Sequence, residues 1–208
     1  MKPALTLATA AALTLLSVPA RAQSSAPPAL DTAVFAGGCF WGVEAVFEHV
    51  KGVVDVVSGY AGGSDDAPTY QHVSSGTSGH AESVRVTFDP SAVSYATLLR
   101  VFFSVAHDAT QLDRQGPDVG PQYRSAIFYR TESQERIARA YIAQLTEARY
   151  YPRPIVTEVA QLTQFHLAEP YHQDYMAHHP TQPYIVYNDA PKLARLKSVL
   201  PELYRERQ

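Results

Sequence analysis

Between Thr32 and Val159 the hydrophobic period switches repeatedly between two and 3.6, and the order of those switches limits the folds open to the chain. Thr32–Ala36 reads as a strand entering Gly37-Gly38. A helix follows from about Cys39 to His49, burying Val43, Val46, Phe47 and Val50 at helical spacing. Val53–Tyr60 is a β-branched strand that leaves through Gly59, Gly62 and Gly63 into a polar loop, Ser64–His80. Val84, Val86 and Phe88 alternate with Arg85 and Thr87, the pattern of a half-buried strand. Ser94–Val105 carries an apolar stripe at Leu98, Leu99, Phe102 and Val105, hence a helix, and a second loop runs over Ala106–Gln122. Ser125–Tyr129 is a short strand, and Thr131 with Gln134 three residues on forms a capping box that opens a helix to about Arg149. Ile155–Val159 is a last strand, and Ala190–Leu200 a terminal helix stopped by Pro201. The order β-α-β-β-α-β, with a helix and a strand added, predicts an α+β two-layer sandwich of the ferredoxin-like, split βαβ type. Such a fold hosts many functions and settles none.

The N-terminus has the form of an export signal. Lys2 precedes an apolar run, Ala4–Val18, and Ala20-Arg21-Ala22 is the small-x-small pattern that a signal peptidase cuts after. The run is about 15 residues and rich in Thr, whereas a membrane span needs roughly 20. The predicted organisation is therefore a signal peptide over 1–22, a flexible lead-in over 23–30 and a single domain over 31–208. It implies an exported protein, periplasmic or secreted, without a membrane anchor. Removing 22 of the 208 residues leaves 186, enough to bury roughly 70% of the unfolded surface. The leader takes Lys2 and Arg21 with it, which leaves 15 basic against 20 acidic residues, a net charge of −5. That balance argues against nucleic acid or anionic lipid as a partner.

An exported chain can keep disulfides, yet this one has a single cysteine, Cys39. A free cysteine is usually a small buried hydrophobe. Its neighbourhood argues for reactivity instead. Two glycines at a strand-to-helix turn let the backbone approach a ligand. Free N–H groups at a helix start favour a thiolate, which predicts a pKa below the ordinary value of about 8.5. Phe40 and Trp41, the only tryptophan, flank the thiol with apolar surface suited to a small group such as a methyl.

A proton donor is needed next. Glu82 (GHAE) lies where the glycine-rich loop becomes a strand; sheltered by aromatics, its pKa would rise towards neutrality. The bland alternative is a solvated strand-end glutamate, or one paired with Arg85. Asp118 lies in a second polar loop and reads equally as a turn aspartate. Tyr70 (PTYQHV) and Tyr123 (PQYRS) lie at loop–element boundaries from which a phenol can enter a cleft.

Gly38-Cys39-Phe40-Trp41-Gly42-Val43-Glu44, Gly59-Tyr60-Ala61-Gly62-Gly63, Pro68-Thr69-Tyr70, Ser78-Gly79-His80-Ala81-Glu82 and Gln122-Tyr123-Arg124-Ser125 follow in order. Together they resemble the peptide methionine sulfoxide reductase A family. The stretches Ala168–Tyr175 and Pro183-Tyr184-Ile185 before Asn188-Asp189 are also similar to it, so the likeness runs from about Val34 to Asp189. The resemblance implies that Cys39 attacks the sulfoxide sulfur and Glu82 protonates the oxygen. It implies that Tyr70 and Tyr123 bond that oxygen, Phe40 and Trp41 cage the S-methyl group, and Asp118 orients substrate or water. Methionine then leaves and Cys39 keeps the oxygen as a sulfenic acid. Selectivity for the S-sulfoxide is implied, as is the absence of any metal or organic cofactor. Free and protein-bound methionine sulfoxide are the substrates, and the chain is read as a monomer.

One departure matters. Many relatives carry further cysteines near the C-terminus that close a disulfide, whereas here Tyr184-Ile185-Val186 stands where Gly-Tyr-Cys is often found. Regeneration then needs an outside thiol, such as a thioredoxin-like protein, glutaredoxin with glutathione, or dithiothreitol. Three rival readings compete. A cysteine acyl transferase would pair the thiol with one of eight histidines, and a thiol peroxidase would form the same sulfenic acid. A metal site at His166, His172, His178 and His179 is disfavoured because adjacent residues 178 and 179 cannot both face one site on a regular helix.

Overall fold

The computed structural model describes residues 29–207. The leader and cleavage site proposed above lie outside the described residues. The chain runs β1 (Asp31–Gly37), α1 (Phe40–Glu48), β2 (Val53–Ala61), α2 (Tyr70–Ser74), β3 (Ala81–Phe88) and α3 (Tyr95–Val101). A π-helical turn, Phe102–Ala106, extends α3. Then come β4 (Arg114–Gln115), β5 (Asp118–Val119), a 3-10 turn at Pro121–Tyr123, β6 (Ser125–Tyr129), α4 (Glu132–Glu147), β7 (Glu158–Gln161) and β8 (Phe165–Leu167). After a 3-10 turn at Pro170–His172, the chain ends with α5 (Tyr175–His178), a second π-helical turn at Ile185–Asp189, and α6 (Ala190–Val199).

Six strands form one mixed sheet in the order β7-β6-β1-β3-β2-β8, antiparallel throughout except for the parallel pair β6–β7. Phe35 and Val34 alternate across β1, so one face takes Ala33 and Phe35 and the other Val34 and Ala36. The first face holds the main core, where Phe35 stacks between Phe47 of α1 and Phe102, at centroid separations of 5.2 and 4.9 Å. The second face is lined by Ala36, Ala61, Ala81 and Ala126 around Phe128.

Those small side chains follow from the connection between the two edges. β7 and β8 stand at opposite edges of the sheet, yet only Leu162-Thr163-Gln164 joins them. Six flat strands would set the edges about 24 Å apart, and so short a link reaches about 14 Å. The sheet must therefore curl. Leu162 and Phe165 pack on the alanine-lined face inside the curl, where larger residues would not fit.

The sequence reading located the central strands and α1, α3, α4 and α6, but not the short α2 and α5, with differences that have physical causes. The helix expected over Ser94–Val105 begins at its Ser94 cap but changes to π geometry at Phe102. The strand expected over Ile155–Val159 is Glu158–Gln161 instead, because that segment pairs with Ala126–Tyr129 of β6. The loops read over 64–80 and 106–122 contain α2 and the two-residue pair β4–β5, and β8 was not expected at all. The Thr131 cap is present: its hydroxyl accepts the Gln134 N–H at 3.2 Å.

Candidate active site

Gly38 turns the chain at φ +87° and makes Cys39 the residue that caps α1. A side chain at 38 is excluded twice, by the left-handed backbone and by Gln115, whose Cβ lies 2.5 Å from where a Cβ would stand. Cys39 is 7% exposed. The sequence reading put its thiol pKa below the ordinary value, and the structure places it well above. Burial is the main cause, and the charges of Glu82 and Asp189 add to it. The Trp41 backbone N–H and the Lys192 ammonium oppose the shift, so the helix start does help the thiolate, but burial outweighs it.

β3 carries Glu82 in register with Tyr60 of β2. Its carboxyl is 2% exposed, and Oε2 accepts the Phe40 N–H at 3.1 Å. Burial pushes its pKa up to about 8, with the Phe40 N–H opposing and the carboxylates of Asp118 and Asp189 adding to the rise. Arg85 does not pair with it; that guanidinium lies over the Phe165 ring.

Tyr70 opens α2 behind the Thr69 cap. Glu169 holds it there: one carboxylate oxygen accepts the Tyr70 N–H at 2.8 Å and the other the Tyr60 hydroxyl at 2.7 Å. Burial, then the Glu82 and Cys39 charges, push the Tyr70 phenol up to about 12. Tyr123 ends the 3-10 turn, its phenol raised likewise by burial and Glu82. Asp118 on β5 accepts the Tyr184 hydroxyl, and burial raises its carboxyl despite that bond.

Trp41 is clamped rather than loose. Its indole stacks on Tyr175 at 3.7 Å between centroids with 8° between planes, and its N–H donates to His172 Nδ1 at 3.1 Å. His172 is 1% exposed and also packs against Phe40 and Tyr70, at 4.9 and 4.4 Å. This one ring thus braces both apolar walls and one phenol. Among the other histidines, His166 packs edge-on to His80, while His178 and His179 are exposed.

Cys39, Phe40, Trp41, Tyr70, Glu82, Asp118 and Tyr123, the seven residues named from the sequence, line one cleft of about 280 Å³ together with Gln182 and Tyr184. A larger cleft of about 490 Å³ beside Glu48 and Asp174 has no cysteine in its lining. Sequence reasoning missed Gln182, Tyr184, His172, Tyr175 and Glu169. They lie in the irregular stretch 169–189, where no periodicity marks an inward face.

A buried thiol, a protonatable carboxyl and two phenols meet around one small aromatic-walled cleft, an arrangement suited to cysteine chemistry on a compact polar group. The family model for peptide methionine sulfoxide reductase matches residues 31–203, and the chain belongs to that family. It is 57% identical over 185 residues to peptide methionine sulfoxide reductase MsrA 2 of Mesorhizobium japonicum, covering 89% of this chain and 95% of the relative. It is 51% identical over 175 residues to MsrA of Thermus thermophilus, covering 84% and 98%. The structure of methionine sulfoxide reductase A of Corynebacterium diphtheriae superposes with a TM-score of 0.66 at 34% identity, covering 76% of this chain and 78% of that one. The reduced form of Mxr1 from Saccharomyces cerevisiae gives 0.68 at 29%, covering 74% and 87%. The protein is an oxidoreductase that reduces methionine sulfoxide and so repairs oxidised protein.

Proposed function

We propose that Cys39 is the nucleophile and Glu82 the general acid of this reduction, in a cycle that stores one oxidising equivalent on one cysteine. The convergence of both groups on one cleft carries the reading. Glu82 is the acid because burial keeps it protonated up to about pH 8, where an ordinary glutamate would have ionised. The thiol and the carboxyl each raise the cost of the other's charge, so together they hold one negative charge more easily than two. A thiolate beside a neutral Glu82 is the reactive arrangement.

The sulfoxide oxygen takes hydrogen bonds from Tyr70 and Tyr123, whose raised pKa values keep them donors. The S-methyl group packs on Phe40 and Trp41, which fixes the side from which Cys39 meets the sulfur; that the selected epimer is S rests on the family likeness alone. Glu82 gives its proton to the oxygen as the thiolate attacks the sulfur. That attack forms an S–S bond; the hydroxyl then passes from the substrate sulfur to Cys39 Sγ as the S–O and S–S bonds break, the substrate sulfur keeps the electron pair as methionine leaves, and Cys39 becomes a sulfenic acid. Asp118, bonded to Tyr184, orients substrate or water. No step asks for a cofactor.

Cys39 is the only cysteine in the chain, so an external thiol attacks the sulfenic acid, releases water and leaves a mixed disulfide. A second thiol then frees Cys39; a thioredoxin-like dithiol, glutaredoxin with glutathione, or dithiothreitol can serve. We place this activity outside the cytoplasm, in the periplasm or medium, on the strength of the leader sequence alone, and read the enzyme as a monomer. The central order β6-β1-β3-β2, with α1 and α3 as crossovers, supports a ferredoxin-like description of the core. The test is turnover of each epimer of methionine sulfoxide with a dithiol present. Consumption of the S form alone is expected; reduction of the R form at a similar rate would overturn the assigned geometry.

A further inference from the structure

An ion pair lies against α1 one turn on from Cys39, and nothing in the reaction above uses it. Asp189 Oδ1 and Lys192 Nζ are 3.0 Å apart, the aspartate side chain fully buried and the lysine 18% exposed. Both crowd Gly42. A Cβ at that position would stand 2.1 Å from Asp189 Oδ1 and 2.9 Å from Lys192 Nζ, so the glycine is what lets the pair lie flat on the helix. Gly42 is three residues after Cys39, which puts the pair and the thiol on neighbouring parts of one helix face. Asp189 Oδ2 is buried with no hydrogen-bond partner among the described residues. A buried pair with an orphaned oxygen is a poor way to pin a helix, since desolvation consumes the attraction and apolar packing would do as well.

We propose that Lys192 is a positioning residue whose ammonium, held in place by Asp189, stabilises the thiolate form of Cys39. The proposal rests on the preceding reading for the role of Cys39. The charged and titratable groups around that thiol are Glu82 from β3, Asp118 from β5, Tyr70 from α2, Tyr123 from the 3-10 turn, Tyr184 just before the second π-helical turn and Asp189 at its end. His107, beside Gly37, is pushed down to about 4 by burial and is neutral at working pH. Every ionised neighbour in that set is therefore an anion, and Lys192 supplies the opposing charge.

The two members of the pair then act on the thiol with opposite sign, which a structural pin would not do. The test is the pH dependence of Cys39 alkylation by iodoacetamide in the reduced full-length chain. Lys192→Met should move the apparent thiol pKa up, slowing alkylation at neutral pH by up to about tenfold for one unit. Asp189→Asn keeps the shape, leaves the ammonium and should move it down, with faster alkylation; Lys192→Arg should restore the native profile. If both charge removals moved the profile the same way, or Asp189→Asn left it in place, the proposal would be overturned. Should Lys192→Met fail to fold, Lys192→Gln carries the same test. Alkylation reads the thiol and not the sulfoxide, so a failed reductase assay with these shifts intact would count against the assigned reaction only.

Discussion

Glu82 accepts the backbone N–H of Phe40 at 3.1 Å, so the acid is tied to the first turn of the helix that Cys39 caps. A strand and a helix that meet only through the fold are thereby joined by one hydrogen bond at the residue next to Cys39. The carboxyl is positioned by the backbone, and no substitution at 40 other than proline removes the donor.

Glu82→Gln should therefore keep the geometry and lose the proton, lowering kcat by roughly 10²–10⁴-fold. The pH dependence follows from both raised groups. The reactive pair, a thiolate beside neutral Glu82, holds one proton, so its population rises as the fully protonated pair loses its first proton at about pH 8 and falls only when the second is lost above that. Rate measurements over pH 6–9.5 should show this rise in the native enzyme. A rise at the same pH in Glu82→Gln would assign it to another group.

Trp41→Ala should raise KM and weaken the preference for methyl over bulkier alkyl sulfoxides. His172→Phe tests the brace more finely: it retains a ring against Phe40 and Tyr70 but removes the acceptor of the indole N–H. Losing that bond is worth about 1 kcal/mol, roughly fivefold in KM with kcat little changed. A profile of substrates by alkyl size checks both; unchanged preference in Trp41→Ala would place the indole in the core instead.

Glu44 gives a stability prediction away from the chemistry. It is 1% exposed, accepts the Ser58 and Asp174 N–H groups at 3.2 and 3.0 Å, and is pushed up to about 8, first by burial and then by Asp174. A carboxyl whose folded pKa is raised contributes stability that is full below the unfolded value and lost as pH rises through the folded one. Thermal unfolding should show Tm falling between about pH 5 and 8. Glu44→Gln should flatten that slope, although its amide must turn an N–H towards one backbone donor and so lowers Tm at pH 5. An equally steep slope in the variant would show that Glu44 is not its source.

Gly42→Ala should destabilise by about 1–3 kcal/mol, the ordinary cost of overpacking, because the added Cβ meets Asp189. Chemical denaturation measures it. Native stability in this variant would mean that α6 shifts away from α1 at no cost.

The sequence showed the front of the site better than its back. Gly37-Gly38 before Cys39 announces a turn, the alternation around Val84–Phe88 places Glu82 at a strand mouth, and the Thr131 cap marks a helix start. These are local signals, each carried by a few adjacent residues. The groups that brace the site are not local. Glu169, His172, Tyr175, Tyr184 and Asp189 reach it from short turns and π-helical segments whose direction is set by contact with α1 and β2. β8 is three residues long and is a strand only because the sheet curls to receive it. The thiol's raised pKa was hidden for the same reason, since burial is a property of the whole fold and the helix start a property of its neighbours.

The account turns on one cysteine performing the whole oxidative half of the cycle. Reduced enzyme, freed of thiol and mixed with excess methionine sulfoxide, should release one methionine per monomer and stop. Intact mass should then show one added oxygen on Cys39, trappable by a dione reagent, and added thiol should restart turnover. A burst above one methionine per monomer without reductant, or a stalled enzyme of unchanged mass, would contradict it.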